Sequence, residues 1–485
     1  MTLRLSDLVK RDLSVDPQIQ GITADSRKVR PGWLFAALPG AKVDGRSFAP
    51  RALEQGAAAI LAGREIEGVS APMVIASDPR RAYALAAAAF WGAQPATCVA
   101  VTGTNGKTSV AGFCRQMFAS AGFKSASMGT LGVRVSAPGV ADEQITPPGL
   151  TTPDAADVAE LMARVAQAGV THLALEASSH GIDQRRLDAV RLTAAGFLNL
   201  TQDHLDYHGT MGAYRASKLR LFETLLPREG TAVLNADSDA YSAFAAASVM
   251  AGHAVMSVGE AGQGLKLIER VATADGQRLT IQVAGEMFST LLPLAGAFQA
   301  SNALVAAGLC IAASEDVGEV LAALEHIQGA PGRLQRIGAG PRGGEAYVDY
   351  AHTPDGLETV LKALRPHAKG RLIVVFGAGG DRDRTKRPLM GKAAADLADL
   401  VIVTDDNPRG EEPAAIRAAI LAAAPAALEI GDRHEAIQAA VAQLRDGDVL
   451  VVAGKGHEQG QIVAGVVHPF DDVAEVSAAL GLRHG

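Results

Sequence analysis

Short apolar runs recur along this chain, and each gives way to a turn and then to a longer stretch with helical periodicity. The runs are continuous and do not alternate with polar residues, the pattern of strands buried on both faces of a parallel sheet. In residues 1–95 they are Trp33-Leu-Phe-Ala-Ala-Leu38, Ala58-Ala-Ile-Leu-Ala62 and Met73-Val-Ile-Ala76, with helical stretches over 49–55 and 79–91. This predicts a small α/β domain that ends in the linker Gly92-Ala-Gln-Pro95.

Residues 96–330 open with Thr97-Cys-Val-Ala-Val-Thr102, a glycine loop and a helix predicted over 108–121. His172-Leu-Ala-Leu-Glu176, Ala195-Gly-Phe-Leu-Asn-Leu200 and Ala232-Val-Leu-Asn235 are further strand candidates. Strands alternating with helices predict a mostly parallel sheet, which binds ligands beyond the carboxyl ends of its strands. In residues 331–485, Leu372-Ile-Val-Val-Phe376, Leu400-Val-Ile-Val-Thr404 and Val449-Leu-Val-Val-Ala453 run straight into GAGGDRD, DDNPRG and GKGHE. Strand ends that finish in such loops predict one shared binding rim. The fold class is α/β in three domains. A central P-loop-type, mostly parallel sheet is flanked by a small N-terminal α/β domain and a C-terminal Rossmann-like α/β domain.

Composition removes several rivals. The 485 residues correspond to roughly three domains of ordinary size, and 48% hydrophobic residues can supply a core to each. Aromatics at 4% leave no stacking platform for single-stranded nucleic acid. Basic residues number 45 against 52 acidic ones, so no excess exists to neutralise a phosphate backbone, and no nucleic-acid partner is expected. Cys98, Cys114 and Cys310 show no pairing pattern and no CxxC, as in a reducing compartment. The N-terminal stretch lacks a signal peptide's apolar core. The longest uncharged stretch, 287–314, could span a bilayer by length, but it carries Pro293, Gln299, Ser301 and Asn302. A buried helix starting near Ser301 is predicted there, and the protein is expected to be cytoplasmic with no membrane insertion.

Gly103-Thr-Asn-Gly-Lys-Thr108 lies between a strand and a helix. Backbone N–H groups, the helix N-terminus and Lys107 can cradle a triphosphate there, and Thr108 can ligate Mg²⁺. Val101 stands where the longer form of this loop has its first glycine. Glu176 ends a strand, where a carboxylate would face the phosphate loop and hold Mg²⁺, or would act only as a cap. Asp203-His-Leu-Asp-Tyr-His208 has metal-ligating side chains without a fixed geometry, and by itself reads as a polar loop. Lys218 by itself reads as a solvated helix lysine. In the third segment, Arg382 and Arg409 suit carboxylates and Glu458 suits an ammonium. Together they fit a zwitterionic amino acid with an extra carboxylate, although each loop alone is also accounted for as a turn.

In chain order, Asp25-Ser-Arg27, Asp44-Gly-Arg46, TGTNGKT, Glu176, DHLDYH with Lys218, Asn302, Gly332-Arg333, Asp349-Tyr-Ala-His352, DNPR and GKGHE resemble the Mur ligases. These are the ATP-dependent amide ligases of peptidoglycan precursor synthesis, and the resemblance spans essentially the whole chain, including the short GTNGKT loop. It implies a UDP-substrate domain over 1–95, an ATP-binding domain over 96–330 and an amino-acid-binding domain over 331–485. Gly103, Thr104, Asn105, Gly106, Lys107, Thr108 and Ser109 would hold the ATP phosphates, with Asn302, Arg333 and Asp349 on the adenosine and phosphate side. Thr108, Glu176, His204 and Lys218 would hold Mg²⁺, Lys218 as a carbamate whose negative charge suits a metal. Lys107, His204 and Lys218 would be the catalytic set.

Ser26, Ala41, Lys42 and Val43 would contact the uridine nucleotide, and Thr151, Thr152, Ser178, Gln184 and Arg186 the sugar-dipeptide. Arg382, Asp406, Asn407, Pro408, Arg409, Gly454 and Glu458 would bind the incoming amino acid. DNPR is similar to the signature of the family members that add meso-diaminopimelate to UDP-N-acetylmuramoyl-L-alanyl-D-glutamate. A lysine-adding relative and a folylpolyglutamate synthetase-like ligase are the near alternatives, and a slowly hydrolysing nucleotide switch a distant one. A monomer is expected. The implied reaction phosphorylates the D-glutamyl γ-carboxylate with ATP, and the amine of diaminopimelate then attacks the acyl phosphate.

Overall fold

The three apolar runs of residues 1–95, with Gly21–Thr23 as a strand the sequence reading did not single out, form a parallel sheet of β1 (Gly21–Thr23), β2 (Trp33–Ala37), β3 (Ala59–Ala62) and β4 (Met73–Ile75), in that spatial order. The structure is a computed structural model and describes residues 2–40, 43–273 and 276–482. Helix α1 (Pro79–Trp91) follows, capped by the Asp78 carboxylate, which accepts the Arg81 N–H. Pro79 sits in its first turn, where a missing N–H leaves no bond unmade. Tyr83, Ala86, Ala87 and Phe90 of α1 pack into the apolar cluster of this sheet.

The central elements are β5 (Thr97–Thr102), α2 (Lys107–Ser120), β6 (Ser125–Gly129), β7 (Gly132–Ala137), β8 (Val140–Thr146), α3 (Ala155–Gln167), β9 (His172–Glu176), β10 (Ala194–Phe197), α4 (Met211–Arg220), β11 (Thr231–Asn235) and β12 (Ala254–Gly259). Spatially the strands run β8-β7-β6-β9-β5-β10-β11-β12. They are parallel from β6 to β12, and β7 and β8 add antiparallel pairs at one side. All of β9 and all of β5 beyond Thr97 are buried, which is why their sequences are continuously apolar. The connection from β5 leads to β6 on one side, and that from β10 to β11 on the other. The loop leaving β5 therefore opens on the crevice where a doubly wound sheet takes its ligand. The run 195–200 ends as a strand at Phe197, so residues 198–200 form a loop beside the glycine loop. Helix α5 (Ala297–Ala312) begins at Ala297, ahead of the expected start at Ser301. Among the described residues no helix is long and apolar enough to cross a membrane.

The C-terminal elements are β13 (Gln335–Ala339), β14 (Glu345–Asp349), α6 (Pro354–Leu364), β15 (Leu372–Phe376), α7 (Lys386–Leu397), β16 (Leu400–Val403), α8 (Pro413–Leu421), β17 (Leu428–Glu429), α9 (Arg433–Gln443), β18 (Val449–Ala453), the hairpin β19 (Gly460–Val463) and β20 (Val466–Pro469), and α10 (Asp472–Ala479). The strand order is β13-β14-β18-β15-β16-β17, with only β13 antiparallel. Alternate residues of β15 and β18 feed two clusters on opposite faces: Leu372, Val374, Val449 and Val451 in one, Ile373, Val375, Leu450 and Val452 in the other. The carboxyl ends of β14, β15, β16 and β18 therefore share one edge. The chain groups into two compact units: Met1–Leu267 with Ile281–Phe288 and Ser301–Ala323, and Ile268–Thr280 with Ser289–Ala300 and Leu324–Gly485. In the first unit, the Tyr83 hydroxyl of α1 donates to Asp154, the cap of α3, at 2.7 Å.

Candidate active site

The loop between β5 and α2 is shaped by two glycines. Gly106 caps α2 at φ +91°, and a Cβ there would lie 2.3 Å from Asn302 Oδ1 of α5. A Cβ on Gly103 would lie 2.8 Å from Leu198 Cβ. Only glycine allows so close an approach in such a conformation. Asn199, in the loop after β10, supports this turn from the side. Its Oδ1 accepts the Thr104 and Asn105 N–H groups at 3.1 and 2.9 Å, and its Nδ2 donates to Asn105 O at 3.1 Å. The Thr104 hydroxyl donates to Thr201 O at 3.1 Å and lies 3.2 Å from the Tyr214 hydroxyl. The loop is thus held ready, with the N-terminus of α2 and Lys107 at its mouth, as an anion site requires.

Thr108, in the first turn of α2, donates its hydroxyl to Glu176 Oε2 at 3.0 Å, so the end of β9 does meet the phosphate loop. The Thr130 N–H donates to Glu176 Oε1 at 2.8 Å. Thr108 and Glu176 offer hard oxygen donors of the kind Mg²⁺ takes. Among the described residues no three His, Cys, Asp or Glu side chains form a metal cage. Mg²⁺ serving a nucleotide draws most of its shell from phosphate and water, so one carboxylate and a hydroxyl suit it.

Lys218 on α4 is fully buried, which overturns its reading as a solvated helix lysine. Its Nζ donates to Gly103 O at 2.7 Å and lies 4.5 Å from the centre of the Tyr214 ring. Burial, reinforced by the nearby Lys107, holds its pKa well below the usual lysine range. As an ammonium Lys218 would repel a metal, whereas as a carbamate it would attract one.

The DHLDYH run is not a plain polar loop either. It contains a short helix, Leu205–His208, entered through His204 at φ +53°. The His204 and His180 rings lie 4.9 Å apart, and Tyr207 and His208 complete the ring cluster around His180. Burial and the flanking His204 and His208 push His180 down to about 4, and desolvation also lowers His204. Both imidazoles are therefore neutral at pH 7, the form that ligates metals.

Thr151, Thr152, Ser178, Gln184 and Arg186 form one network around Glu176. Thr152 Oγ1 donates to Glu176 O at 2.9 Å and accepts from the Ser178 N–H and hydroxyl. Arg186 donates to Thr152 O at 2.6 Å and to Gln184 Oε1 at 2.7 Å, while Thr151 and Thr130 share a hydroxyl contact at 2.9 Å.

In the C-terminal sheet, the loops after β14, β15, β16 and β18 do share one rim. Asp406, Asn407 and Pro408 are buried and Arg409 is half-buried, at φ +53°. Arg409 Nη1 donates to Gly380 O at 2.9 Å, and its backbone is held by hairpin β19–β20 through Arg409 N to Ile462 O and Ala464 N to Arg409 O. Asn407 Nδ2 donates to Glu458 Oε2 at 2.9 Å. A Cβ on Gly454 would lie 2.5 Å from Asp406 Oδ2, so the two loops interlock at a glycine. Arg382 is exposed on the loop after β15. Arg333 lies 4.4 Å over the Tyr350 ring, and a Cβ on Gly332 would strike the His457 N–H at 2.2 Å. Asp349 accepts the Leu334 and Ala351 N–H groups, and burial raises its pKa to about 6 against the pull of Arg333.

Three family profiles match this chain. They are "Mur ligase family, catalytic domain" over residues 18–91, "Mur ligase middle domain" over 101–310, and "Mur ligase, glutamate ligase domain" over 332–456. The UDP-N-acetylmuramoyl-L-alanyl-D-glutamate–2,6-diaminopimelate ligase of Caulobacter vibrioides is 71% identical over 481 residues, 99% of each chain. The chain belongs to the Mur ligase family. A solved ligase of the same specificity name matches with TM-score 0.74 at 34% identity, over 99% of both chains. The Mur ligase fold extends to a MurF ligase from Thermotoga maritima in complex with ADP, with TM-score 0.64 at 18% identity over 95% of this chain and 96% of that one.

As a Mur ligase the chain is an ATP-dependent ligase. Ser26 is buried just beyond β1, next to an Asp25–Arg27 pair at 2.8 Å. Arg27 holds Asp25 down to about 2, and Arg46 does the same for Asp44. Val43 is exposed, whereas Ala41 and Lys42 lie outside the described residues. Sequence reasoning missed Asn199, Thr130, Tyr214 and His180. Asn199 lay inside the run 195–200 expected as strand, and Thr130 follows β6, a strand the sequence reading did not single out.

Proposed function

We propose that this Mur ligase joins meso-diaminopimelate to the D-glutamyl γ-carboxylate of UDP-N-acetylmuramoyl-L-alanyl-D-glutamate, with ATP giving ADP and phosphate. The observation that carries this reading is the rim of the C-terminal sheet. There the Arg409 guanidinium and the Asn407–Glu458 pair, 2.9 Å apart, stand at the mouths of adjoining loops. Such a site complements an amino acid with an ammonium and an additional carboxylate. The relative from Caulobacter vibrioides carries that specificity in its name.

A carboxylate is a poor acyl donor because its charge repels an amine and oxide does not leave. In the reading proposed here, the γ-carboxylate oxygen attacks the γ-phosphorus of ATP and ADP leaves. Lys107 and the N–H groups at the start of α2 balance charge on the transferred phosphoryl group. The diaminopimelate amine, its proton lost, attacks the acyl carbon, and phosphate departs as the amide forms. Thr108 and Glu176, with His204 and a carbamylated Lys218, would hold Mg²⁺, which when bound supplies positive charge to the phosphates. The network from Thr151 to Arg186 would grip the sugar-dipeptide, and Ser26 with Ala41, Lys42 and Val43 the uridine. Asn302, Arg333 and Asp349 would serve the nucleotide.

Residues 1–95, 96–330 and 331–485 are taken as the UDP-substrate, ATP and amino-acid portions of a monomeric, cytoplasmic enzyme of cell-wall precursor synthesis, on which cell shape and division depend. The test is ADP release with the UDP-dipeptide and meso-diaminopimelate, lysine or glutamate offered in turn. Diaminopimelate-dependent ADP release with stoichiometric amide product is expected. Equal turnover with lysine, or ATP consumption without an amide, would overturn the reading.

A further inference from the structure

Lys455, in GKGHE, is a lysine with no exposed surface in the loop after β18. It touches three pieces of the amino-acid rim at once. Its Nζ donates to Asn407 Oδ1 at 2.9 Å and to Gly460 O, at the start of hairpin β19–β20, at 2.7 Å. The same Nζ stands 3.7 Å from Glu458 Oε2. Asn407 Oδ1 also accepts the Ile462 N–H at 2.9 Å, while Asn407 Nδ2 donates to Glu458 Oε2.

We infer that Lys455 is a positioning residue of the amino-acid subsite, setting the Asn407 amide so that its NH₂ end holds Glu458. The inference rests on the reading that this rim binds diaminopimelate. The two ends of an amide are nearly the same size, so partners decide which way it points. Flipped, the Asn407 NH₂ would face two donors, the Lys455 ammonium and the Ile462 N–H, and its oxygen would face the Glu458 carboxylate. Donor would meet donor in a buried contact and acceptor would meet anion in a part-buried one, both of the costly kind. With Lys455 in place, Glu458 is fixed by a neutral donor and a nearby cation. The Glu458 side chain keeps 35% of its surface exposed, whereas that of Lys455 keeps none. The carboxylate is the end a ligand's ammonium can meet, and the lysine works from beneath. Gly460 O, held by the same ammonium, ties in the hairpin whose Ile462 O accepts the Arg409 N–H. Lys455 therefore acts through Asn407 and Glu458 and touches no substrate.

The test is steady-state kinetics with ATP, the UDP-dipeptide and diaminopimelate varied in turn. Wild-type turnover of diaminopimelate checks the underlying reading independently of any variant. Lys455→Gln is expected to raise KM for diaminopimelate about tenfold or more, with kcat within about threefold and the other two KM values within about twofold. Lys455→Arg, which keeps the charge and the donors, is expected to recover most of that loss. A Lys455→Gln/Asn407→Ala double variant should match Asn407→Ala alone, because one residue acts through the other. Additive effects, or a Lys455→Gln loss spread evenly over all three substrates, would overturn the inference. Asn407→Asp keeps the acceptors for Lys455 and Ile462 but cannot donate to Glu458. It should show the same diaminopimelate-selective loss, and normal diaminopimelate KM in this variant would overturn the inference even if Lys455→Gln failed to fold.

Discussion

The ammonium groups of Lys107 and Lys218 donate to a single acceptor, the carbonyl oxygen of Gly103, at 2.9 and 2.7 Å. Lys107 reaches it from the first turn of α2, half-buried, and also bonds Thr104 O at 2.8 Å; Lys218 reaches it from α4, fully buried. Two cations on one carbonyl repel, and the buried one bears the greater cost because water cannot screen it. A neutral Lys218 amine relieves that repulsion, and a carbamate would reverse it.

Enzyme stripped of dissolved CO₂ is therefore expected to lose activity and to regain it on addition of bicarbonate. Lys218→Arg keeps a cation but has no amine to carbamylate. It should run about a hundredfold or more below wild type, as for loss of an electrostatic group in a phosphoryl-transfer site, and should ignore bicarbonate. Activity assays with and without bicarbonate check both statements. Bicarbonate-independent wild-type activity would remove the carbamate from the reading.

Gly106→Ala places a methyl group against Asn302 Oδ1 at a left-handed backbone position. The conformation alone costs an L-residue about 1–2 kcal/mol, and the clash adds to it. Affinity for ADP, measured by calorimetry, should fall about tenfold or more, with diaminopimelate binding unaffected. Unchanged ADP affinity would show that the loop opens before nucleotide enters.

Arg409→Ala should weaken diaminopimelate selectively. Leaving a partly buried carboxylate without its guanidinium costs about 2–5 kcal/mol, a KM about thirtyfold or more higher. Arg409→Lys should recover little, because a point charge does not replace a planar fork. The comparison is KM for diaminopimelate against KM for the UDP-dipeptide, and equal rises in both would place Arg409 outside the amino-acid subsite.

Glu411 ties down the loop that carries Arg382. Bonds from Arg387, then from the Asp381 N–H at 2.7 Å, hold its carboxyl down to about 2, below the ordinary 4.5. The folded state thus favours the ionised form, so the stabilisation is complete above pH 4.5 and is lost as pH falls from there toward 2. Urea unfolding of wild type and Glu411→Gln should show a gap at pH 7 that narrows below pH 4.5. A gap that widened in acid would contradict the assignment.

The sequence by itself determined four interior strands of the two large sheets. Expected and observed limits coincide at Thr97–Thr102, His172–Glu176, Leu372–Phe376 and Val449–Ala453, because a strand buried on both faces must be apolar throughout. It also determined which loops end those strands, and so which polar residues share an edge. Tertiary structure alone decided what the charged residues among them do. Lys218 meets Gly103 across 115 positions, Asn199 meets Thr104 across 95, and Lys455 meets Asn407 across 48. A lysine in its own window looks solvated, since its burial is set by strands and helices remote in the chain. Local periodicity records which side of an element faces the core, whereas the partner waiting for a buried charge is fixed only when distant segments pack.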